Sequence, residues 1–385
     1  MAIDYPYLVL IVILITLAAL EWKYPASSNG FFKVASAVVF VFVAFRAPVI
    51  CADMWNYTKD AIGRVSMYTY SEDVEPLYKA YRSIFRNFCP YIFPFVFVSS
   101  LIIFIPLWVL IIRYSKYKTV SVLCVFLLVQ FEIFLGILRQ CIGLSFILCA
   151  VMYVMDDKKR KWLVYVVLCA IAYFFHHSSV LVAAIFVGCY FLPIKSKTFY
   201  IATILVTFMI GMVLRSFDFF SFLRIVEGWG IVDDRFETRY MDEDSRYNEN
   251  AGRAVGLTML SRPILAMIIF FFLDEEHRKH WFAKIYFVGV VIMNLFPTLA
   301  NINRMIISNM LFVTILISWV LESKYYLNLK FRPIVKIAVI GILCAYTVVY
   351  ARHYIKMGDR SEAWRLHPYY FIWEDYSDHP AITYW

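Results

Sequence analysis

Long, uninterrupted apolar runs constrain the fold of this chain more than any other feature of its sequence. A helix that crosses a bilayer needs about 20 mostly apolar residues, and windows of that length recur along the whole chain. Of the 385 residues, 62% are hydrophobic and 17% are charged, whereas a soluble domain averages about 45–50% and about 25%. So few charged residues could not cover such an apolar interior in water. The sequence predicts an all-α polytopic integral membrane protein and excludes an ordinary soluble enzyme, a disordered chain and a nucleic-acid-binding module.

We expect about 12 transmembrane helices in a single membrane domain over residues 1–385. The first apolar segment lacks a basic leader and a small-residue cleavage site, so it is expected to be a retained span. Three segments, 140–155, 162–175 and 180–194, are short for full crossings, which favours tilted or re-entrant helices there. The predicted spans are residues 5–22, 31–50, 91–112, 119–138, 140–155, 162–175, 180–194, 198–214, 255–273, 281–299, 305–321 and 334–350.

The Lys and Arg residues of the short connections predict the orientation of these spans. If the loop after the first span is cytoplasmic, 18 basic residues lie on the cytoplasmic side, and the short opposite connections hold only Arg139 and Arg304. Three longer segments then lie outside: the loops 51–90 and 215–254 and the aromatic-rich tail 351–385. The net charge of +9 is therefore mainly a topogenic signal, and no nucleic-acid partner is expected. The 18 residues are Lys23, Lys33, Arg113, Lys116, Lys118, Lys158, Lys159, Arg160, Lys161, Lys195, Lys197, Arg278, Lys279, Lys284, Lys324, Lys330, Arg332 and Lys336.

Polar residues collect at the predicted outer ends of the spans, where burial in lipid would be costly. Guanidinium groups bind phosphate oxygens in pairs and keep their charge, so several Arg at one depth suit a phosphate or pyrophosphate. The alternative is that each Arg reaches lipid headgroups or pairs with a carboxylate. A functional role in phosphate binding is favoured for Arg139 and Arg304, which have no acidic neighbour in sequence. A purely structural role is favoured for Arg46. For Arg262, which precedes Pro263, the two roles are balanced. The outer polar residues are Arg46, Arg139, Gln140, His176, His177, Ser178, Ser179, Arg262, Asn301, Asn303 and Arg304.

The His-His-Ser-Ser turn at 176–179 is a candidate catalytic element, because a neutral imidazole can accept a proton from a hydroxyl nucleophile near pH 7. The alternative is a helix-end turn with interfacial histidines. No His or Glu spacing typical of a metal site occurs there, so no metal is predicted. Aromatic and acidic side chains of the first outer segment suit sugar binding or form an interfacial belt: Asp53, Trp55, Tyr57, Asp60, Glu72, Asp73, Glu75, Tyr78 and Tyr81. Cys51 and Cys89 bracket that segment and could form a disulfide.

The order of these motifs resembles the EpsG family, Wzy-like polymerases of bacterial capsules and exopolysaccharides. That family typically shows Arg-Gln at the start of a span and, later, a Phe-His-x-Ser-Ala turn. Leu138-Arg139-Gln140 and, about 35 residues later, Phe175-His176-His177-Ser178-Ser179 are similar to these motifs. Phe45-Arg46 followed by Asp53 and Tyr57, and later Asn303-Arg304, continue the resemblance. There are three departures: Gly143 replaces a common Ala, which we expect to be harmless, Ser179 replaces the usual Ala, and Asn309 stands near a frequent aromatic.

The resemblance implies an architecture like that of GT-C-type glycosyltransferases. It also implies the reaction: a growing glycan on undecaprenyl pyrophosphate is transferred to the non-reducing end of a new lipid-linked unit, at the periplasmic face of the bacterial inner membrane. Lipid-linked oligosaccharide would be both donor and acceptor, membrane lipids would surround the protein, and a chain-length regulator is a further candidate partner. No metal, nucleotide sugar or other cofactor is expected, because pyrophosphate is already a good leaving group.

On this interpretation, Arg139 and Arg304 stabilise the charge that develops on the donor pyrophosphate. His176 acts as the base on the acceptor hydroxyl, with Asp53 as the competing candidate. A flippase or transporter of the same lipid-linked oligosaccharide and an O-antigen-type glycan ligase remain alternatives. A flippase would carry charge at mid-depth on many spans, so polar residues at one face favour the enzyme. The predicted substrate-binding residues are Gln140, Ser178, Arg262, Arg46, His177, Asn303 and Tyr57.

Overall fold

The computed structural model describes residues 5–64, 74–130, 136–214, 257–297, 306–323, 341, 369–375 and 377. Within these ranges the secondary structure is helical, apart from one isolated β-bridge between Arg46 and Phe371. The all-α fold class is therefore confirmed for the described part of the chain. The outer loop predicted at 215–254 lies outside it, as does the twelfth predicted span except for Gly341.

Fourteen α-helices are described here, in chain order. They are α1 (Tyr5–Lys23), α2 (Ser28–Ala44, after the 3-10 turn Pro25–Ser27), α3 (Ala52–Ala61), α4 (Pro76–Phe88), α5 (Ile92–Tyr114), α6 (Lys118–Cys124), α7 (Leu138–Met155), α8 (Lys161–Phe175), α9 (Ser179–Phe191), α10 (Lys197–Leu214), α11 (Leu257–Phe272), α12 (Glu275–Lys279), α13 (Trp281–Leu295) and α14 (Val313–Glu322). A π-helical stretch, Val125–Gln130, follows α6.

Five helices are long and apolar enough to cross a bilayer: Tyr5–Lys23, Pro25–Ala44, Ile92–Tyr114, Leu138–Met155 and Lys197–Leu214. Shorter apolar helices occupy Lys118–Val129, Lys161–Phe175, Ser179–Phe191, Leu260–Phe272, Trp281–Leu295 and Ile306–Glu322. Every predicted span before the twelfth thus contains an apolar helix, which supports a membrane protein. The segment predicted to be short at 140–155 is in fact an 18-residue helix, because α7 begins at Leu138.

The described chain divides into two compact units, Met1–Val187 with Val313–Trp385, and Gly188–Phe312. In the first unit, α7 is the most buried of the long apolar helices, and Gly143 shows why. A Cβ atom at Gly143 would lie 2.4 Å from Ser179 Oγ and 3.2 Å from the Ala172 carbonyl oxygen. Small residues let helices approach this closely. Gly143 therefore leaves room for Ser179, because even one methyl group would overlap Ser179 Oγ at the start of α9.

Glu21 shows how the first unit accommodates a charge near the end of an apolar helix. Its buried carboxylate accepts hydrogen bonds from the backbone N–H groups of Thr119 (3.1 Å) and Val120 (3.3 Å). These are orphan donors at the start of α6, and a carboxylate there also complements the helix dipole. Ser28 Oγ donates to the same carboxylate at 2.5 Å. This buried acid therefore ties α1 to the beginnings of α2 and α6.

Two short helices, α3 and α4, form inside the predicted outer segment 51–90. Pro76 occupies the first turn of α4, where its missing N–H costs nothing. Tyr78, Tyr81 and Phe85 recur at helical spacing and are buried. The amphipathic α4 thus packs one aromatic face onto the protein, and the residue before it, Glu75, is placed beside other helices.

Candidate active site

Three charged or titratable side chains of the first unit meet where three helices begin or end. Arg139 lies in the first turn of α7, and Glu75 is the residue immediately before α4. His176 ends α8 with an extended backbone, and Ser179 then starts α9. The turn is closed by the Ser179 N–H, which donates to the His176 carbonyl oxygen at 2.9 Å.

The Glu75 carboxylate joins the other two side chains. Arg139 Nη1 donates to Glu75 Oε2 at 2.6 Å, and His176 Nδ1 lies 2.8 Å from Glu75 Oε1. The backbone N–H of His177 donates to the same Oε1 at 3.2 Å. Glu75 is 3% exposed, whereas the Arg139 and His176 side chains are 16% and 26% exposed. The carboxylate is therefore enclosed, while the Arg139 and His176 side chains are partly exposed.

The electrostatics of this cluster favour an ionised carboxylate. Burial by itself raises the pKa of Glu75, but the hydrogen bond with His176 and the positive charge of Arg139 outweigh burial and lower that pKa to about 2. Charged partners and hydrogen bonds to the ionised form act in this direction. Glu75 is therefore an anion throughout the physiological pH range.

Two tyrosines of α3 and α4 flank the guanidinium. Arg139 Nε donates to the Tyr57 hydroxyl at 3.3 Å, and the Arg139 Cζ atom lies 5.6 Å from the ring centroids of both Tyr57 and Tyr78. Cations are attracted to aromatic faces at this distance. Tyr78 is fully buried, and within the described residues its hydroxyl has no hydrogen-bond partner. Burial raises the pKa of Tyr78, so this hydroxyl stays protonated.

The structure brings together several of the predicted site residues. Arg139, His176 and Tyr57 all belong to the cluster, as described above. His177 contributes its backbone N–H, while its ring packs on Tyr173 with 4.9 Å between centroids. Asp53 lies in the first turn of α3, four residues before Tyr57, so these two occupy one helix face.

Two further predicted residues adjoin the cluster in sequence. Gln140 follows Arg139 in α7 and is buried. Ser178 lies in the turn after α8, and its Oγ is buried without a hydrogen-bond partner among the described residues. Both are next to the site, but their side chains are not among the groups that bind Glu75.

Arg46 lies in different surroundings. It follows α2, is 1% exposed, and donates to the Val43 carbonyl oxygen at 3.4 Å and to Met54 Sδ at 3.3 Å. Its backbone forms the bridge with Phe371 of the tail, and Ala47 N–H donates to the Tyr370 carbonyl oxygen at 2.9 Å. These contacts fit the structural role that the sequence favours for Arg46.

In the second unit, Arg262 lines a small cleft of about 40 Å³. Its Nη1 lies 3.9 Å from Met293 Sδ. Arg262 and Asn294 are the two polar residues of the cleft lining, and the Asn294 amide donates to the Ile204 carbonyl oxygen at 3.1 Å. The other residues that line the cleft are Phe208, Gly211, Met212 and Pro297. Asn303 and Arg304 lie outside the described residues.

Sequence reasoning did not single out Glu75, which is the partner of Arg139 in the structure. Arg139 has no acidic neighbour in sequence, but in space it pairs with a carboxylate that lies 64 positions earlier. The available signal was the Glu75-Pro76 pair, since Pro at the first helical position leaves Glu75 as the N-cap. Asp, Asn, Ser and Thr are the usual caps, and this longer side chain makes no capping bond to its own helix.

The described ranges contain neither a metal-binding cluster nor a disulfide. No group of three or more His, Cys, Asp or Glu side chains there is placed to hold a metal ion. Cys51 and Cys89, between which a disulfide was considered, are both free thiols.

The fold and the cluster define a class: a helical membrane protein with a polar site of Arg139, Glu75 and His176 beside apolar helices. A model of the EpsG family matches residues 30–371. The chain therefore belongs to the EpsG family, which associates it with polysaccharide biosynthesis. No curated protein and no solved structure matches this chain.

Proposed function

We propose that this protein is a glycosyltransferase that polymerises undecaprenyl-pyrophosphate-linked oligosaccharide units at the periplasmic face of the bacterial inner membrane. Membership of the EpsG family supports a role in polysaccharide assembly. The observation on which the proposal mainly rests is that the partly exposed side chains of Arg139 and His176 share one buried carboxylate. That arrangement supplies a group for a departing pyrophosphate and a group for the attacking hydroxyl.

The proposed reaction is a single substitution at the donor sugar. A hydroxyl oxygen at the non-reducing end of the acceptor unit attacks the anomeric carbon of the donor glycan. The new C–O bond forms as the bond from that carbon to the pyrophosphate oxygen breaks, and that electron pair leaves with undecaprenyl pyrophosphate. His176 Nε2 takes the proton of the attacking hydroxyl, and Asp53 remains the competing base.

Arg139 is the proposed ligand of the pyrophosphate even though it pairs with Glu75. The carboxylate contacts the Arg139 Nη1 atom through Oε2 alone, because its Oε1 is engaged by His176 and by the His177 N–H. A pyrophosphate carries more charge than a carboxylate, and guanidinium groups suit phosphate oxygens. Arg139 also lies in the first turn of α7, where the helix dipole favours an anion.

The cleft of the second unit is the proposed binding site for the phosphate and the adjoining apolar chain of the lipid-linked substrate. Arg262 supplies the charge there, and Met212, Met293 and Phe208 supply apolar surface. Methionine side chains adapt to irregular apolar ligands. Arg304 and Asn303 are proposed as further phosphate and sugar contacts on the strength of the motif. Gln140, Ser178 and His177 are proposed as substrate contacts from their predicted outer position.

The test uses Arg139→Ala and His176→Ala in a cell that makes the polysaccharide. Both changes should abolish long glycan while single units accumulate on the lipid. Arg113→Ala is the matched control, because Arg113 is 44% exposed and pairs with the surface residue Asp156. Exposed ion pairs of this kind contribute little to protein stability, so Arg113→Ala should make glycan of normal length. Normal chain lengths in Arg139→Ala and His176→Ala at wild-type protein level would refute the proposal.

A further inference from the structure

We infer that Glu75 is the positioning residue of this site: it fixes the proton of His176 on Nδ1 and holds the imidazole and Arg139 at a set separation. The inference rests on the proposed function only for the identity of the substrate in the rate measurement. The proton position itself is a property of the protein without substrate.

Glu75 has the geometry of an orienting group. Its two carboxylate oxygens receive three donors from two places in the chain: Arg139 in α7, and the His176 ring with the His177 N–H just after α8. An ionised carboxylate only accepts hydrogen bonds. The 2.8 Å contact with His176 Nδ1 therefore requires a hydrogen on Nδ1. In the neutral imidazole, the lone pair is then on Nε2.

This arrangement also excludes Glu75 as the base. A buried carboxylate with three donors and a pKa of about 2 has little affinity for a further proton near neutral pH. It is also only 3% exposed, so substrate would reach the imidazole first. In its relation to His176, Glu75 matches the role of a carboxylate that holds a catalytic histidine in the correct tautomer and orientation.

The backbone contact makes the orientation rigid. The His177 N–H donates to the same Oε1 atom that meets His176 Nδ1, so the carboxylate is bound both by the imidazole and by the backbone that follows it. The other oxygen fixes Arg139. A shift of Glu75 would therefore displace both the guanidinium and the imidazole. Arg139 would lose its proposed alignment with the donor pyrophosphate, and His176 its alignment with the acceptor hydroxyl.

Asp60 offers an internal comparison. It is also a buried carboxylate of the outer segment, and it forms an ion pair with Arg82. Asp60→Asn therefore changes the same kind of pair close in sequence to Tyr57, with Arg82 as the partner in place of Arg139. An effect caused only by a lost buried charge should appear in Asp60→Asn as well as in Glu75→Gln.

The experiment is nitrogen-15 NMR of histidine-labelled, full-length protein in lipid nanodiscs, at a pH where the ring of His176 is neutral. The chain has 7 histidines, so the His176 signals are identified as those that His176→Gln removes. We expect hydrogen on Nδ1 and a lone pair on Nε2 in the wild type. Glu75→Gln should give a mixture of tautomers, because a Gln side chain can both donate and accept, and Asp60→Asn should leave the His176 signals unchanged.

The same variants are then compared in glycan synthesis. Glu75→Gln should lower the rate about 100-fold or more, because a His176 ring in the wrong tautomer no longer acts as the base. Glu75→Asp, which keeps a carboxylate, should recover part of that rate. Hydrogen on Nε2 in the wild type would overturn the inference, and this measurement needs no variant of Glu75 to fold. Wild-type tautomer and rate in Glu75→Gln would overturn it as well. If the wild type shows Nδ1–H but no preparation extends a glycan, the proposed function fails while the positioning role stands.

Discussion

Replacing Gly143 by Ala should disturb both the stability and the activity of this protein. The added Cβ would lie 2.4 Å from Ser179 Oγ, about 1 Å closer than an ordinary contact of about 3.5 Å. Overpacking of this size costs roughly 1–3 kcal/mol, partly offset by the better helix propensity of Ala, about 0.5–1 kcal/mol. Gly143 is one helical turn from Arg139, and Ser179 closes the turn that holds His176. A displacement of about 1 Å between catalytic groups can lower a rate about 100-fold.

The assay combines thermal unfolding in nanodiscs with glycan synthesis. Gly143→Ala should lower both the unfolding midpoint and the rate, and adding Ser179→Ala should restore most of each, because it removes the overlapping Oγ atom. The atoms nearest to the new methyl group would then be the Ala172 carbonyl oxygen at 3.2 Å and the Cβ of residue 179 at 3.6 Å. Gly188→Ala is the control, since nothing lies within 4 Å of a Cβ there. The reasoning fails if Gly143→Ala behaves as the wild type, or if Ser179→Ala gives no rescue.

Two more predictions concern stability. Because the pKa of Glu75 falls from 4.5 to about 2 on folding, its charge contributes roughly 3 kcal/mol. That contribution is complete above pH 4.5 and is lost as the pH falls through 2. The difference in unfolding midpoint between wild type and Glu75→Gln should thus shrink as the pH falls from 4.5 to about 2, and a difference that grows over that range would contradict this sign. Tyr369→Phe removes a hydrogen bond to the Phe42 carbonyl oxygen but keeps the ring stack on Phe42. It should cost about 1 kcal/mol and increase proteolysis of the tail, whereas unchanged proteolysis would show that this bond does not hold the tail.

The helices could be predicted from sequence because the apolar runs act locally. Any stretch of about 20 apolar residues satisfies its backbone polar groups within one helix in lipid. That is why the predicted spans before the twelfth coincide with apolar helices. The start of α7 was misplaced, because Arg139 and Gln140 appear to a hydropathy scan as the end of a span although they lie within the helix.

The candidate site was predictable only in part. Arg139 and His176 stand in short motifs that can be recognised by spacing, and the structure brings them to one carboxylate. Glu75 could not be singled out, because its contacts with them bridge 64 and 101 positions and the outer segment holds several other acids. The importance of Gly143 was also hidden, since it depends on how closely α7 approaches the turn after α8.

The most direct test of the proposed function is to incubate purified protein in liposomes with one lipid-linked repeat unit and a chelator, without any nucleotide sugar. We predict a ladder of longer lipid-linked glycans and release of undecaprenyl pyrophosphate, with both products absent for Arg139→Ala. Movement of the unchanged unit across the membrane without a ladder would contradict the polymerase and indicate a flippase.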